Sequence, residues 1–101
     1  MYRQGDVLII QCENIPINSK IINKENESII LAYGEATGHK HAIHSNDANL
    51  YAANDDDVYL EILKTVNLSH EEHSTISIPQ GKYKVIIQKE YTPDGYRNVY
   101  D

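Results

Sequence analysis

Over residues 75–90 the sequence alternates polar and apolar side chains with a period of two. Thr75-Ile76-Ser77-Ile78 leads into the turn signal Pro79-Gln80-Gly81. Beyond it, Tyr83, Val85, Ile87 and Lys89 alternate against Lys84, Ile86, Gln88 and Glu90. Successive side chains of a strand point to opposite faces, so this pattern predicts half-buried β-strands and offers no helical stripe. Similar short runs recur. Asp6 to Gln11 follows Gly5, Ser28 to Tyr33 stops at Gly34, and Leu50 to Ala53 ends at Asn54 and the aspartates, which read as a turn. Val58, Leu60 and Ile62 share one face of a further run, and Tyr96 to Tyr100 follows the turn Pro93-Asp94-Gly95. The polar stretch Asn18 to Asn26 reads as a loop or a short turn of helix. Seven short strands with turns between them predict a mainly-β fold, a small antiparallel β-barrel, with helix below ~20%. Closure into a barrel would remove the sheet edges.

The length of 101 residues fits a single domain over 1–101 with one modest core. No apolar run reaches the ~18 residues of a membrane span. Met1-Tyr2-Arg3-Gln4-Gly5-Asp6 lacks the basic start and apolar stretch of a signal peptide, and the lone Cys12 forms no internal disulfide. The expected location is the cytoplasm. With 15 acidic against 9 basic side chains the formal charge is −6. That argues against long DNA or RNA as a partner, because phosphate neutralisation supplies most of such affinity. A short nucleotide in a locally basic pocket remains compatible. All eight aromatics are Tyr, and a tyrosine ring packs like Phe while its hydroxyl needs water or a partner.

All five histidines fall in two tight groups, Thr37-Gly38-His39-Lys40-His41-Ala42-Ile43-His44 and Ser69-His70-Glu71-Glu72-His73. On a strand His39 and His41 share a face, while His70 and His73 share one only in a turn. Three readings follow. In the first, one imidazole takes a proton and another gives one, so that an RNA-type phosphodiester is cut without a metal. His39 and His41 are then the first choice for acid and base, His70 and His73 the next. Lys40 would sit on the phosphate and Glu71 would orient an imidazole. In the second, His39, His41, His70 and His73 bind a divalent transition metal, as in the cupins. The match to the cupin pattern is partial: Gly34 stands one residue too close to His39, and the usual downstream Glu is missing. In the third, the imidazoles cap turns and bond to backbone groups. A nucleotide-binding module without catalysis is a further alternative for the function. Arg3 and Arg97 are candidate phosphate partners, and Tyr91 and Tyr96 candidate platforms for adenine.

Several segments carry a family resemblance: Tyr2-Arg3-Gln4-Gly5-Asp6-Val7, Gly34-Glu35-Ala36-Thr37-Gly38-His39-Lys40-His41, His70-Glu71-Glu72-His73, Pro79-Gln80-Gly81-Lys82-Tyr83, Gln88-Lys89-Glu90-Tyr91-Thr92-Pro93 and Arg97-Asn98-Val99-Tyr100-Asp101. Together they resemble a family of small bacterial and phage proteins with TGHxH and HEEH motifs. That family is similar in turn to the small ring nucleases, which cut the cyclic oligoadenylate messengers of type III CRISPR antiviral defence. The resemblance implies a compact β-barrel homodimer, a cyclic oligonucleotide substrate and cleavage without a cofactor. Residues 46–66 carry no family motif, and substrate preference is expected to vary there.

Overall fold

The computed structural model describes residues 1–25, 27–33, 38–54, 56–92 and 95–98; within 89–92 and 95–98 the description is of the backbone alone. Among the described residues twelve strands follow in chain order: β1 (Tyr2–Gln4), β2 (Val7–Cys12), β3 (Lys20–Ile21), β4 (Ile29–Tyr33), β5 (Lys40–Ile43), β6 (Ala48–Ala52), β7 (Val58–Ile62), β8 (Val66–Leu68), β9 (Ile76–Ile78), β10 (Gly81–Ile87), β11 (Lys89–Thr92) and β12 (Gly95–Asn98). Among the described residues there is no helix, so the mainly-β expectation holds. None is therefore long and apolar enough to cross a membrane.

Six strands form one antiparallel sheet in the order β1-β2-β10-β7-β6-β3. The period-two segment lies at its centre. β10 pairs on one side with β2, Val85 opposite Ile9, and on the other with β7, Tyr83 opposite Leu60. Tyr83 and Val85 point into the core, as do Leu60 and Ile62 of β7. Lys82 and Lys84 face outward, as the alternation requires. Val7, Leu8 and Ile9 of β2 are all buried, which fits a strand covered on both faces.

The strands do not close into the predicted barrel. The large sheet keeps β1 and β3 as edges, and the remaining strands form three ribbons, β4–β5, β8–β9 and β11–β12. β3 has two residues and β1 has three, too few to carry a ladder around to a closing partner. Short edges protect an open sheet in another way, by offering little unpaired backbone to a neighbouring chain. The stretch around residue 20, read as a loop or helical turn, contributes β3, with Lys20 opposite Ala52 and Ile21 opposite Tyr51.

Two turns bear on the site. β1 and β2 are joined by Gly5 and Asp6 alone, Gln4 pairing with Val7. Gly5 takes φ 57°, a left-handed conformation that glycine adopts without Cβ strain. Gly38, at φ 74°, directly precedes His39.

Candidate active site

The two histidine groups meet because β5 runs beside the end of β8. Ala42 and Ser69 exchange both backbone hydrogen bonds, each at 2.9 Å. This bridge is isolated, and beyond it the two segments meet through side chains. The His41 and His70 rings lie 4.4 Å apart between centroids. The Lys40 N–H donates to Glu71 Oε2 at 2.9 Å. His39 Nδ1 stands 3.7 Å from Glu72 Oε1.

Past Ser69 the chain turns on a side chain. His70 Nδ1 accepts the backbone N–H of Glu72 at 3.0 Å and that of His73 at 3.3 Å. The turn carries the His73 ring back against His70, 4.6 Å between centroids. His70 is thus the hub of the cluster, also meeting the His39 ring edge-on at 5.5 Å. His73 lies nearly parallel to His41, at 17° and 6.0 Å.

Burial divides the four imidazoles. His41 has no exposed surface, and His70 has 8%. The His39 side chain is 24% exposed, and His73 is half-buried. His39 Nδ1 and the Nε2 atoms of His41, His70 and His73 are all turned away from solvent. Under the cluster lie two polar residues of the β1–β2 hairpin. Gln4 Oε1 faces His41 Nδ1 at 2.8 Å, and Asp6 Oδ1 faces His41 Nε2 at 3.3 Å. Both residues are as buried as the core. On the outer side, the Lys40 N–H holds the exposed Glu71 carboxyl below its ordinary range, with weaker help from His39 and His70.

The cluster borders a cleft of about 210 Å³ lined by Lys40, Ala42, His44, Ser69, His70 and Glu71. Ser69 and His44 also line an adjoining groove of about 470 Å³ with Ser45, Thr65, Asn67 and Thr75. Ser28 Oγ lies 2.6 Å from His44 Nδ1 and steadies that ring. Among the described residues, the ligand atoms that lie within 4.8 Å of one another belong to His39, His70 and Glu71. This trio differs from the quartet His39, His41, His70 and His73 expected for a metal. A donor set of two imidazoles and one carboxylate suits zinc and its neighbours.

All four histidines singled out in the sequence are brought together, with Lys40 and Glu71 beside them. The equivalence of His39 and His41 is not kept. His39 precedes β5, outside the reach of strand parity, and stays accessible, while His41 is sealed inside. The carboxylate nearest His39 Nδ1 is that of Glu72, at 3.7 Å. Arg3 is exposed and donates to Gln88, while its neighbour Gln4 faces the cluster, so the two point to opposite faces of β1. Tyr91 belongs to β11, and Tyr96 and Arg97 to β12; their side chains lie outside the described ones. Sequence reasoning missed Gln4 and Asp6. The available signal was a pair of polar residues flanking a glycine turn beside an apolar run.

No curated protein and no solved structure gives a significant match to this chain. A family model described as a domain of unknown function (DUF8820) matches residues 3–88, and the chain belongs to that family.

Proposed function

We propose that the histidine cluster is the catalytic centre of a phosphodiesterase that cleaves a small RNA-like substrate, most concretely a cyclic oligoadenylate, by imidazole acid–base chemistry. The observation that carries this reading is the contact chain His39–His70–His73, with ring centroids 5.5 and 4.6 Å apart and both ends partly open to solvent. A base and an acid are needed on opposite sides of the reacting phosphate, and the chain supplies one imidazole at each end. His39 is the base. Its Nδ1 is turned to Glu72, which leaves Nε2 to take the proton of a 2′-hydroxyl. The freed oxygen attacks phosphorus, the bond to the 5′-oxygen breaks, and protonated His73 delivers its proton to that oxygen. The products are a 2′,3′-cyclic phosphate and a 5′-hydroxyl. Lys40 borders the cleft and balances phosphate charge. The adjoining groove is lined by hydroxyl, amide and imidazole groups and the Val66 side chain, with no carboxylate, which suits an uncharged base. His41 is sealed from substrate, so its part is support.

The homodimer belongs to the same proposal. A twofold axis would join two such clefts for a ring-shaped substrate.

Purified protein incubated with cyclic oligoadenylates of several ring sizes, with and without EDTA, tests the reading. Cleavage should survive EDTA, leave 2′,3′-cyclic phosphate ends and spare a 2′-deoxy ring. His39→Ala should slow it by ~10²–10⁴. Light scattering should return twice the 11.5 kDa chain mass. Failure to cleave any ring overturns the reading. A second reading is favoured by the His39, His70 and Glu71 trio, which would hold a divalent transition metal. It predicts that EDTA abolishes activity, that elemental analysis finds metal, and that His70→Ala loses it.

A further inference from the structure

The face of the large sheet turned away from the histidines carries a row of side chains that the chemistry above does not use. Ile10 of β2 stands opposite Lys84 of β10, and Lys84 opposite Tyr59 of β7. Tyr59 stands opposite Tyr51 of β6, and Tyr51 opposite Ile21 of β3. Residues directly opposite each other share a face. The alternation that buries Ile9, Tyr83, Leu60 and Leu50 on the inner side therefore sets these five on the outer one. Ile10 is 37% exposed and Ile21 58%, and both tyrosines are half-buried. An exposed apolar row with a polar border marks an interaction surface.

Two charged pairs stand at the middle of this face. Lys84 Nζ lies 3.1 Å from Asp57 Oδ2. Lys82 of β10 stands opposite Glu61 of β7, whose carboxylate accepts the Tyr51 hydroxyl at 3.2 Å. The four charges sum to zero, whereas the whole chain carries −6. Like-charged chains repel, and a neutral face is where a second copy can approach. The pattern is also self-complementary. A twofold axis running between β7 and β10, parallel to them, exchanges the two strands. It lays Lys82 over Glu61 of the partner subunit, and Glu61 over Lys82 of the partner subunit. It lays Lys84 over the ring of the partner's Tyr59, and Ile10 against the partner's Tyr51. Sheets packed face to face keep their strands nearly aligned, as this axis requires. A nucleic-acid strand would meet balanced charge and exposed isoleucine instead of a cationic track.

We propose that the outer face of the sheet, centred on Tyr59, Glu61, Lys82 and Lys84, is the docking surface for a second copy of this chain. Five strands at ~4.8 Å spacing and five residues at ~3.4 Å give it ~400 Å² in projection. That is half of the ~800 Å² per partner in a standard interface, so pairing is weak and driven by concentration. It leaves the clefts uncovered, and with the twofold proposed to join them it builds a dimer of dimers. The contact goes beyond the phosphodiesterase reading and stands without it. Sedimentation equilibrium from ~20 µM to ~1 mM, the range of a weak interface, tests it. The wild-type average mass should rise toward twice its dilute value. Lys82→Glu or Glu61→Lys alone sets like charges over each other at two places and should weaken the association at least ~10-fold. Mixing the two variants restores both attractions between unlike chains, so the mixture should associate as the wild type does. A wild-type mass that stays constant overturns the proposal. So do single variants that associate like the wild type, or a mixture that associates no better than either variant alone. A constant mass, with binding of a fluorescent single-stranded oligoadenylate that Tyr59→Ser abolishes, gives the face to nucleic acid and overturns it too.

Discussion

Removing the Asp6 carboxylate should show how strongly the buried contact holds the fold. With His41 protonated and Asp6 ionised, two unit charges at 3.3 Å in an effective dielectric of about 20 attract by ~5 kcal/mol. Desolvation of both groups opposes this, so the net worth of the pair is small, but breaking it from one side leaves the partner charge buried alone. That costs ~3–5 kcal/mol. The whole domain is worth only ~5–15 kcal/mol at 0.05–0.15 kcal/mol per residue. Asp6→Ala and His41→Ala should therefore each bring the protein near its folding limit. The double variant has no orphaned charge and should lose at least ~2 kcal/mol less than the two single losses together. The chain has no tryptophan, so urea unfolding is followed by far-ultraviolet circular dichroism. Losses that add to within ~0.5 kcal/mol would show that the pair carries no mutual charge interaction.

Three smaller tests bear on the frame around the site. Gly38 sits at φ 74°, and a Cβ there would meet no atom within 4 Å, so Gly38→Ala should cost ~1–2 kcal/mol from backbone strain alone, read as a lower urea midpoint. The Tyr83 hydroxyl donates to Pro79 O at 2.8 Å across the turn into β10, so Tyr83→Phe should cost ~1 kcal/mol, about 4–8 °C in melting temperature. The Glu71 carboxyl is held below its ordinary value of 4.5 by the Lys40 N–H. This tie is complete above that value and lost as pH falls through the lowered one, so a carbon NMR titration of Glu71 should give a midpoint under 4.5.

The strands legible in the sequence are those set in a segment long enough to show a period, three-residue β9 within the run 75–90 among them. Residues 81–87 and 58–62 alternate over whole strands and sit in the middle of the sheet. β1, β3 and β8 have two or three residues each, and so short a run has no period to detect. Their brevity is also why the closed barrel failed. At the site, the gathering of histidines was legible because imidazoles are sparse and these were grouped. Their roles were not, because strand parity treats His39 and His41 alike until the start of β5 is known. Gln4 and Asp6 escaped because a buried polar residue is defined by its partners, and those partners lie 37, 64 and 70 residues along the chain for Gln4.

A site gathered around one backbone bridge is sensitive to length in some places and indifferent in others. The Ala42–Ser69 bridge brings the His41 ring to His70, the Lys40 N–H to the Glu71 carboxylate and His39 to Glu72. Deleting a single residue between Gly38 and Ala42 would disturb these contacts together and would swap the faces of the strand. Inserting several residues into the loop between β6 and β7 changes none of these pairings. Homologues should therefore differ in length around residues 53–57 and hold the spacing from Gly38 to Ala42 and from Ser69 to Ser74 fixed. For an engineer the same rule marks the β6–β7 connection as the place to graft a new segment, and β5 as the place to leave alone.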